Sequence, residues 1–355
     1  MIGRSASQGM IMAAVHTRSG VQRWRLAPEA LALDASAGSP WLLVPPETRQ
    51  AFDAFAAAGV PLSESVFGSP LLGVKCGCNE AFLVSLGPDD SPDPEFVSVQ
   101  SARLGAVART GSVERHMLRP VVRGRTLGRW TVTRPSASAQ SASNPPDPPL
   151  GQQRRSAEAA PQLILWTHEE TAAGRVGPMA ALPPGAARWL APWRHRLAAR
   201  SDTRRRGPWW SLFRTESASA KWPRVVWADI GRMSLAAVLP VGDHTVPLNS
   251  CYAVRAPGEM DAHALCAIIN STVATGWLNV LAEPARGGFH RYLAWTVGLL
   301  PIPTDWARAR AALGPVGERA AAGDAPDSDE LSAIVAAAYG LSSEALAPLV
   351  SWPEG

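Results

Sequence analysis

The stretch DAHALCAIINSTVATGWLNVL, residues 261–281, reads as one long helix. Leu265, Ile268, Ile269, Thr272, Val273, Trp277, Val280 and Leu281 recur at steps of three and four and so share one face. Asp261 stands where a capping carboxylate belongs. A face this apolar belongs in a core, so the helix is expected to be buried.

Working outward, PRVVWADI (223–230), SLAAVLPV (234–241) and SCYAVRAP (250–257) read as three short strands, and LILWTH (163–168) as another. On the far side, YLAWTVGLLPIP (292–303) reads as a strand closed by Pro301 and Pro303. An Ala-rich helix follows from Asp327 to Tyr339 and stops at Gly340. Nearer the start, WLLVP (41–45) reads as a strand and PETRQAFDAFAAAGVPL (46–62) as a helix that stops at Gly59 and Pro61. LLGVKCGCNEAFLVSL (71–86) reads as strand, turn, strand. The segment 177–214 holds a helix that opens near Pro184 and ends before Gly207.

The expected fold is mixed α/β (α+β): short mixed strands, one long packed helix and a C-terminal helical tail. The expected divisions are a flexible leader (1–21), a β-rich part (22–134), a Ser/Pro linker (135–161), a core (162–310) and a helical tail (311–355). The linker, PSASAQSASNPPDPPLGQQRRSAEAAP, has almost nothing to bury against the entropy of ordering it.

With 46% hydrophobic and 18% charged residues, the chain of 355 is globular rather than disordered as a whole. No run of eighteen apolar residues occurs, so no membrane span is expected. The N-terminal apolar patch is too weak for a signal peptide, and the expected location is cytoplasmic. Cys76, Cys78, Cys251 and Cys266 lack the paired spacing of a zinc site and read as buried thiols.

The net charge of +4 hides an asymmetry. Residues 101–230 hold 21 Lys or Arg against 8 Asp or Glu, a balance of +13, leaving −9 elsewhere. Only Lys75 and Lys221 are lysines. A basic middle between acidic ends suits a polyanion as well as an ordinary solvated surface. LRPVVRGRTLGRW (118–130) sets four arginines around two glycines, and WRHRLAARSDTRRRGPWW (193–210) mixes six arginines with three tryptophans. Arginine forks suit phosphate or guanine, and tryptophan offers a stacking face. The same tryptophans could instead pack inside while the arginines sit in water.

Catalytic signatures are weak. Asn144-Pro145-Pro146 matches three letters of the motif of DNA amino-methyltransferases, but Asp147 replaces the aromatic that stacks on a flipped base. The match lies in the linker, with no strand ending in a Gly-rich cofactor turn ahead of it. Neither G-x-S-x-G nor H-E-x-x-H occurs, and a nuclease cluster around Lys75 and Glu80 lacks an upstream acid.

Five stretches, taken in order, resemble the C-terminal part of TaqI-like, type IIG and BREX-type adenine-specific DNA methyltransferases. Gly73, Gly77, Asn79, Ala81 and Phe82 match a "G-x-x-T-G-x-N-x-A-F" stretch, with Cys76 in place of Thr. LRPVVRGRTLGRW is similar to "L-x-P-x-x-R-G-x-D-I", with Thr126 in place of Asp. Leu190, Leu197, Arg200, Trp210, Leu212 and Arg214 match the third stretch. Lys221, Leu265, Ile269, Asn270, Ser271 and Leu300–Pro303 match the fourth, and LSAIVAAAYGLSSEAL matches the closing one. Together they span residues 25–347.

In that family this region recognises the target sequence, while another domain flips and methylates the adenine. The resemblance therefore implies a target-recognition-domain-like specificity subunit for a restriction-modification or phage-defence system, non-catalytic and without its own cofactor. Its partners would be double-stranded DNA and a separate methyltransferase subunit that holds S-adenosylmethionine. The candidate DNA-binding residues are Lys75, Asn79, Arg119, Arg123, Arg125, Arg194, Arg196, Arg204, Arg205, Arg206, Trp209, Trp210, Lys221 and Arg224. The alternative is a diverged S-adenosylmethionine-dependent methyltransferase or a nuclease with its own activity. Isothermal titration separates the two readings: the isolated chain is expected to give no binding heat with S-adenosylmethionine, and saturable binding would restore the enzyme reading.

Overall fold

The computed structural model describes residues 2–4, 10–17, 20–28, 31–34, 36, 38–87, 93–101, 109–133, 163–201 and 207–352. The chain is a mixed α/β protein whose two largest sheets, of four and six strands, carry most of its core. The linker with Asn144, and Arg204, Arg205 and Arg206, lie outside the described residues.

One sheet is antiparallel, in the order Ala236–Leu239, Arg224–Ala228, Cys251–Arg255, Leu71–Leu72. Its strands are apolar without a break because both faces are covered. Val225, Trp227, Ala236 and Val254 face a large helical core. Val226, Ala237, Leu239, Cys251 and Ala253 face a small cluster with Val122 and Leu127.

The expected long helix is two helices, Glu259–Ile269 and Thr272–Leu281, bent by 68°. Neither glycine nor proline marks the break; Asn270 and Ser271 make it. The Asn270 side chain lies fully buried against the edge strand that begins at Ala236. Its Oδ1 accepts the Ala236 N–H at 2.8 Å and its Nδ2 donates to the Ala236 carbonyl at 2.9 Å. The amide thereby completes the ladder of a strand edge that, among the described residues, is otherwise met by the isolated bridge of Trp130 to Ala237. Ser271 then caps the second helix, its Oγ accepting the Ala274 N–H at 3.1 Å. Asp261 is not the cap. It lies within the first turn of the first helix, accepting the Trp306 indole N–H at 2.7 Å and facing Arg310 at 3.7 Å.

Helix Trp306–Ala321 crosses helix Glu259–Ile269 at close range. A Cβ on Gly317 would stand 2.2 Å from the His263 carbonyl oxygen, so only glycine admits the crossing. Asp327 caps helix Ser328–Ala338, and Gly340 ends it at φ +69°. No single described helix is long and apolar enough to cross a membrane.

Three expected elements differ. Residues 292–303 form helix Ala294–Gly298 and then strand Pro301–Pro303, which pairs with Gly59–Pro61. Val297 and Leu300 are buried three residues apart, a helical spacing hidden inside an apolar run. WLLVP makes one bridge, Trp41 to Ala32, because its backbone runs beside a local turn and not a sheet. The expected loose leader carries paired strands, Ile11–Thr17 with Gly20–Leu26; Ile11, Ala13 and Leu26 are buried there, and Trp24 meets Trp352 edge-on at 6.2 Å.

The second sheet has six strands, in the order Val246–Pro247, Leu118–Val122, Leu163–Leu165, Leu83–Leu86, Phe96–Ser101, Thr110–Glu114. Leu118–Val122 and Leu163–Leu165, from either side of residues 135–161, are direct neighbours. Helix Pro184–Leu190 packs on this sheet, its first N–H groups at Gly185 and Ala186 held by the buried Glu114 carboxylate at 2.6 and 2.9 Å. All four cysteines are buried and unpaired. Among the described residues no cluster of His, Cys, Asp and Glu could hold a metal ion.

Asn270→Ala leaves the Ala236 N–H buried without its acceptor, and a loss of about 2–4 kcal/mol is expected from the urea unfolding midpoint. Asn270→Asp is not expected to restore it, because a carboxylate cannot donate to the Ala236 carbonyl.

Candidate nucleic-acid interface

Strand Leu118–Val122 sets Arg119 opposite Ile164, two residues before Trp166. The Trp166 N–H donates to the Met117 carbonyl at 2.6 Å, which turns the indole under Arg119. The guanidinium carbon lies 4.5 Å from the ring centroid. Trp166 is 3% exposed. Burial pulls the Arg119 guanidinium down to about 10, against the pull of nearby Glu170.

This stacked pair forms one wall of a cleft of about 650 Å³, whose other walls include Met117, Met179, His168, Lys221 and His244. Two internal anchors hold its rim. The Glu170 carboxylate accepts the Ser219 hydroxyl, the Ala220 N–H at 3.0 Å and the Lys221 N–H at 3.2 Å. Burial raises that carboxyl, but these hydrogen bonds and Arg119 outweigh it and leave Glu170 below its ordinary value. The second anchor corrects an expectation. Arg224, expected on the DNA surface, is 1% exposed. Its terminal nitrogens donate to the carbonyls of Ser217 and Thr245, each at 3.1 Å, and of Asp243. An arginine surrounded by carbonyls cannot reach a phosphate; here it holds the loop that carries His244.

Beside the cleft lies a second cationic and aromatic group. Arg109 sits 5.3 Å from the rings of both Trp189 and Trp193. Arg194 lies 5.7 Å over Trp209, and Arg196 pairs with Glu80 at 3.1 Å. Arg194, Arg196, Lys75 and Asn79 are exposed. The two groups share a wall. Thr167 donates its hydroxyl to the Trp210 carbonyl at 2.8 Å, and the Trp210 indole donates to the Met179 carbonyl at 3.3 Å. Trp210, expected to contact DNA, is therefore tied into that wall at both ends.

Arg123 and Arg125 lie on the turn Gly124–Thr126, where the Thr126 hydroxyl accepts the Arg123 N–H at 3.0 Å. Arg125 is exposed, and Arg123 is half-buried. The structure thus brings Arg119 and Lys221 together in the cleft and sets the Arg194–Trp209 pair next to Trp210 of its wall, while Lys75, Asn79 and Arg196 are exposed and do not line it. Trp166, His168 and Arg109 were not expected in the site. Trp166 lies inside the LILWTH stretch, directly after strand Leu163–Leu165, but only the pairing of two strands far apart in the chain shows that it faces Arg119.

The matched glycines and arginines belong to the frame. A Cβ on Gly73 would lie 2.0 Å from the Leu248 carbonyl oxygen, and Gly77 adopts φ +68°. Arg200 packs on Gly77 and donates to the carbonyls of Cys76 at 2.8 Å and Ser211 at 2.7 Å.

No family model matches the chain, and no curated protein matches it. Among solved structures it is similar to the Type IIL restriction-modification enzyme MmeI in complex with DNA, at 11% identity and a TM-score of 0.46. The alignment covers 82% of this chain and 35% of that one, so this chain spans about a third of that protein's length.

Burial first, and the Arg119 charge second, push the His168 imidazole down to about 4 from an ordinary value of 6.5. The unfolded chain therefore takes up this proton first as the pH falls. The stability is complete above about pH 6.5 and is lost as the pH falls toward about 4, the loss at pH 5 being about 2 kcal/mol. Urea unfolding at pH 7 and pH 5 checks this: His168→Gln is expected to lose less stability on acidification than the unaltered chain.

Proposed function

We propose that this chain is a DNA-recognition protein. It would serve as the specificity subunit for an adenine-specific DNA methyltransferase, with methyl transfer carried out by a partner chain that binds S-adenosylmethionine. The observation that carries this reading is the grouping of arginine–tryptophan pairs on one module: Arg119 on Trp166, Arg194 on Trp209, and Arg109 between Trp189 and Trp193. Guanidinium groups supply charge for a phosphate backbone, and the aromatic faces hold their planes in fixed directions. An ordinary solvated basic surface does not call for rings beneath its cations.

The resemblance in the sequence supports the same reading through the frame. Gly73, Gly77 and Arg200 brace the segment that carries Trp209, while Asn270, Ser271 and Pro301–Pro303 brace the helical core. On this reading the matched stretches preserve a scaffold, and the DNA contacts fall on exposed residues around it. A role in restriction-modification or phage defence belongs to the same proposal.

Fluorescence anisotropy with a labelled duplex tests it. Affinity is expected to fall steeply between about 50 and 200 mM salt, with a slope near −0.9 for each phosphate neutralised. Replacing both Arg194 and Arg196 by Ala should lower that slope by about 2. A chain with no measurable affinity, or with salt-independent affinity, sinks the proposal.

A further inference from the structure

We propose that the cleft between Arg119, Trp166 and Lys221 receives one unpaired nucleotide of the bound DNA, its base against the Arg119–Trp166 stack and its phosphate at Lys221. The inference rests on the DNA-recognition reading and assigns that site its ligand.

Shape and size come first. The cleft holds about 650 Å³, and Met117, Met179, Trp166 and Ala172 line it together with the polar residues His168, Glu169, Glu170 and Lys221. A volume in this range suits a small molecule and exceeds what a lone phosphate would fill. A paired base shows only its edge in a groove, and protruding elements read that edge. What enters a concavity must itself protrude, as an unstacked nucleotide does.

The hydrogen-bonding inventory comes second. Arg119 Nη1 and Trp166 Nε1 are buried donors without an acceptor among the described residues. Glu170, whose charge acts on Arg119, already accepts three other donors. A base carries carbonyl and ring-nitrogen acceptors in one plane, the geometry that an arginine fork matches. Its face can also continue the stack that Trp166 begins.

The third argument is preparation. Lys221 is exposed at the rim, on the turn that Glu170 fixes; one of its three ammonium donors goes to the Ala172 carbonyl, and Arg224 secures the loop that carries His244 from inside. Walls held from within need little reordering when a ligand enters. His168 stays neutral beside Arg119, so it adds no charge that would repel the guanidinium.

The test compares two labelled duplexes that differ only by one extra unpaired nucleotide, bound to the full chain in anisotropy titrations. The unpaired nucleotide is expected to tighten binding by about tenfold, the worth of one base stacked on one planar group. Arg119→Met, which keeps the stem and removes the plane and the charge, should abolish that preference, so that both duplexes bind with one and the same weakened affinity. Lys221→Ala, at an exposed position, should weaken the unpaired-nucleotide duplex severalfold more than the plain one. Arg119→Lys should lose most of the preference despite keeping its charge.

Binding of both duplexes with equal affinity by the unaltered chain would overturn this inference and leave the DNA-recognition reading standing. No binding of either duplex would overturn that reading as well. A preference that survives Arg119→Met, or that neither Lys221→Ala nor Arg119→Lys reduces, would place the nucleotide elsewhere and overturn the assignment.

Discussion

The carbonyl and N–H of Ala236 are where the molecule is joined. Ala236 begins an edge strand, and an edge left open in a core would bury a donor and an acceptor without partners. Asn270 answers both with one amide, while the Trp130 N–H at 2.9 Å and the Cys266 thiol at 3.4 Å add to the same carbonyl. Arg129 then donates to the Asn270 carbonyl at 2.8 Å and to Ser328 at 3.3 Å. A sheet edge, two core helices, the 127–132 turn and the tail helix thus meet around Ala236 and Asn270. The bend comes at the next residue, where the extended backbone of Ser271 (φ −78°, ψ 152°) ends the first helix and caps the second.

The same economy of buried polar groups organises the cleft. Glu170 and Arg224 are charged residues turned inward, each committed to backbone groups on the cleft's rim. Charges used this way hold loops in place and leave recognition to others nearby. Arg119 differs: it lies on an indole, partly desolvated, with one nitrogen that has no acceptor among the described residues. Two arginines only 105 positions apart in one basic region therefore do opposite work, one inside the frame and one facing the cleft.

Much of the fold is legible in the sequence, and for a definite reason. VVWA, AAVL and CYAVR are continuous apolar runs because the sheet is covered on both faces, so short length and β-branched content mark them as strands. Asp327 and Gly340 mark the tail helix because capping depends on residues within one turn. The break at Asn270 is not legible, since the apolar spacing runs on unchanged through it. The partner that holds Asn270 lies 34 positions away. The helix within 292–303 is hidden similarly, because an apolar run fits either period until its neighbours choose one.

For the site, sequence alone determined the basic, tryptophan-rich middle, the short strands and the order of the matched stretches. Those properties belong to composition and to contacts within a few residues. Tertiary structure alone decided which cations face outward. Arg119 and Arg224 have the same side chain, and nothing local tells them apart; strand pairing sets one on Trp166 and packing encloses the other among carbonyls. A side chain's solvation is fixed by segments far away in the chain, so the role of each arginine emerges only when the sheets have assembled.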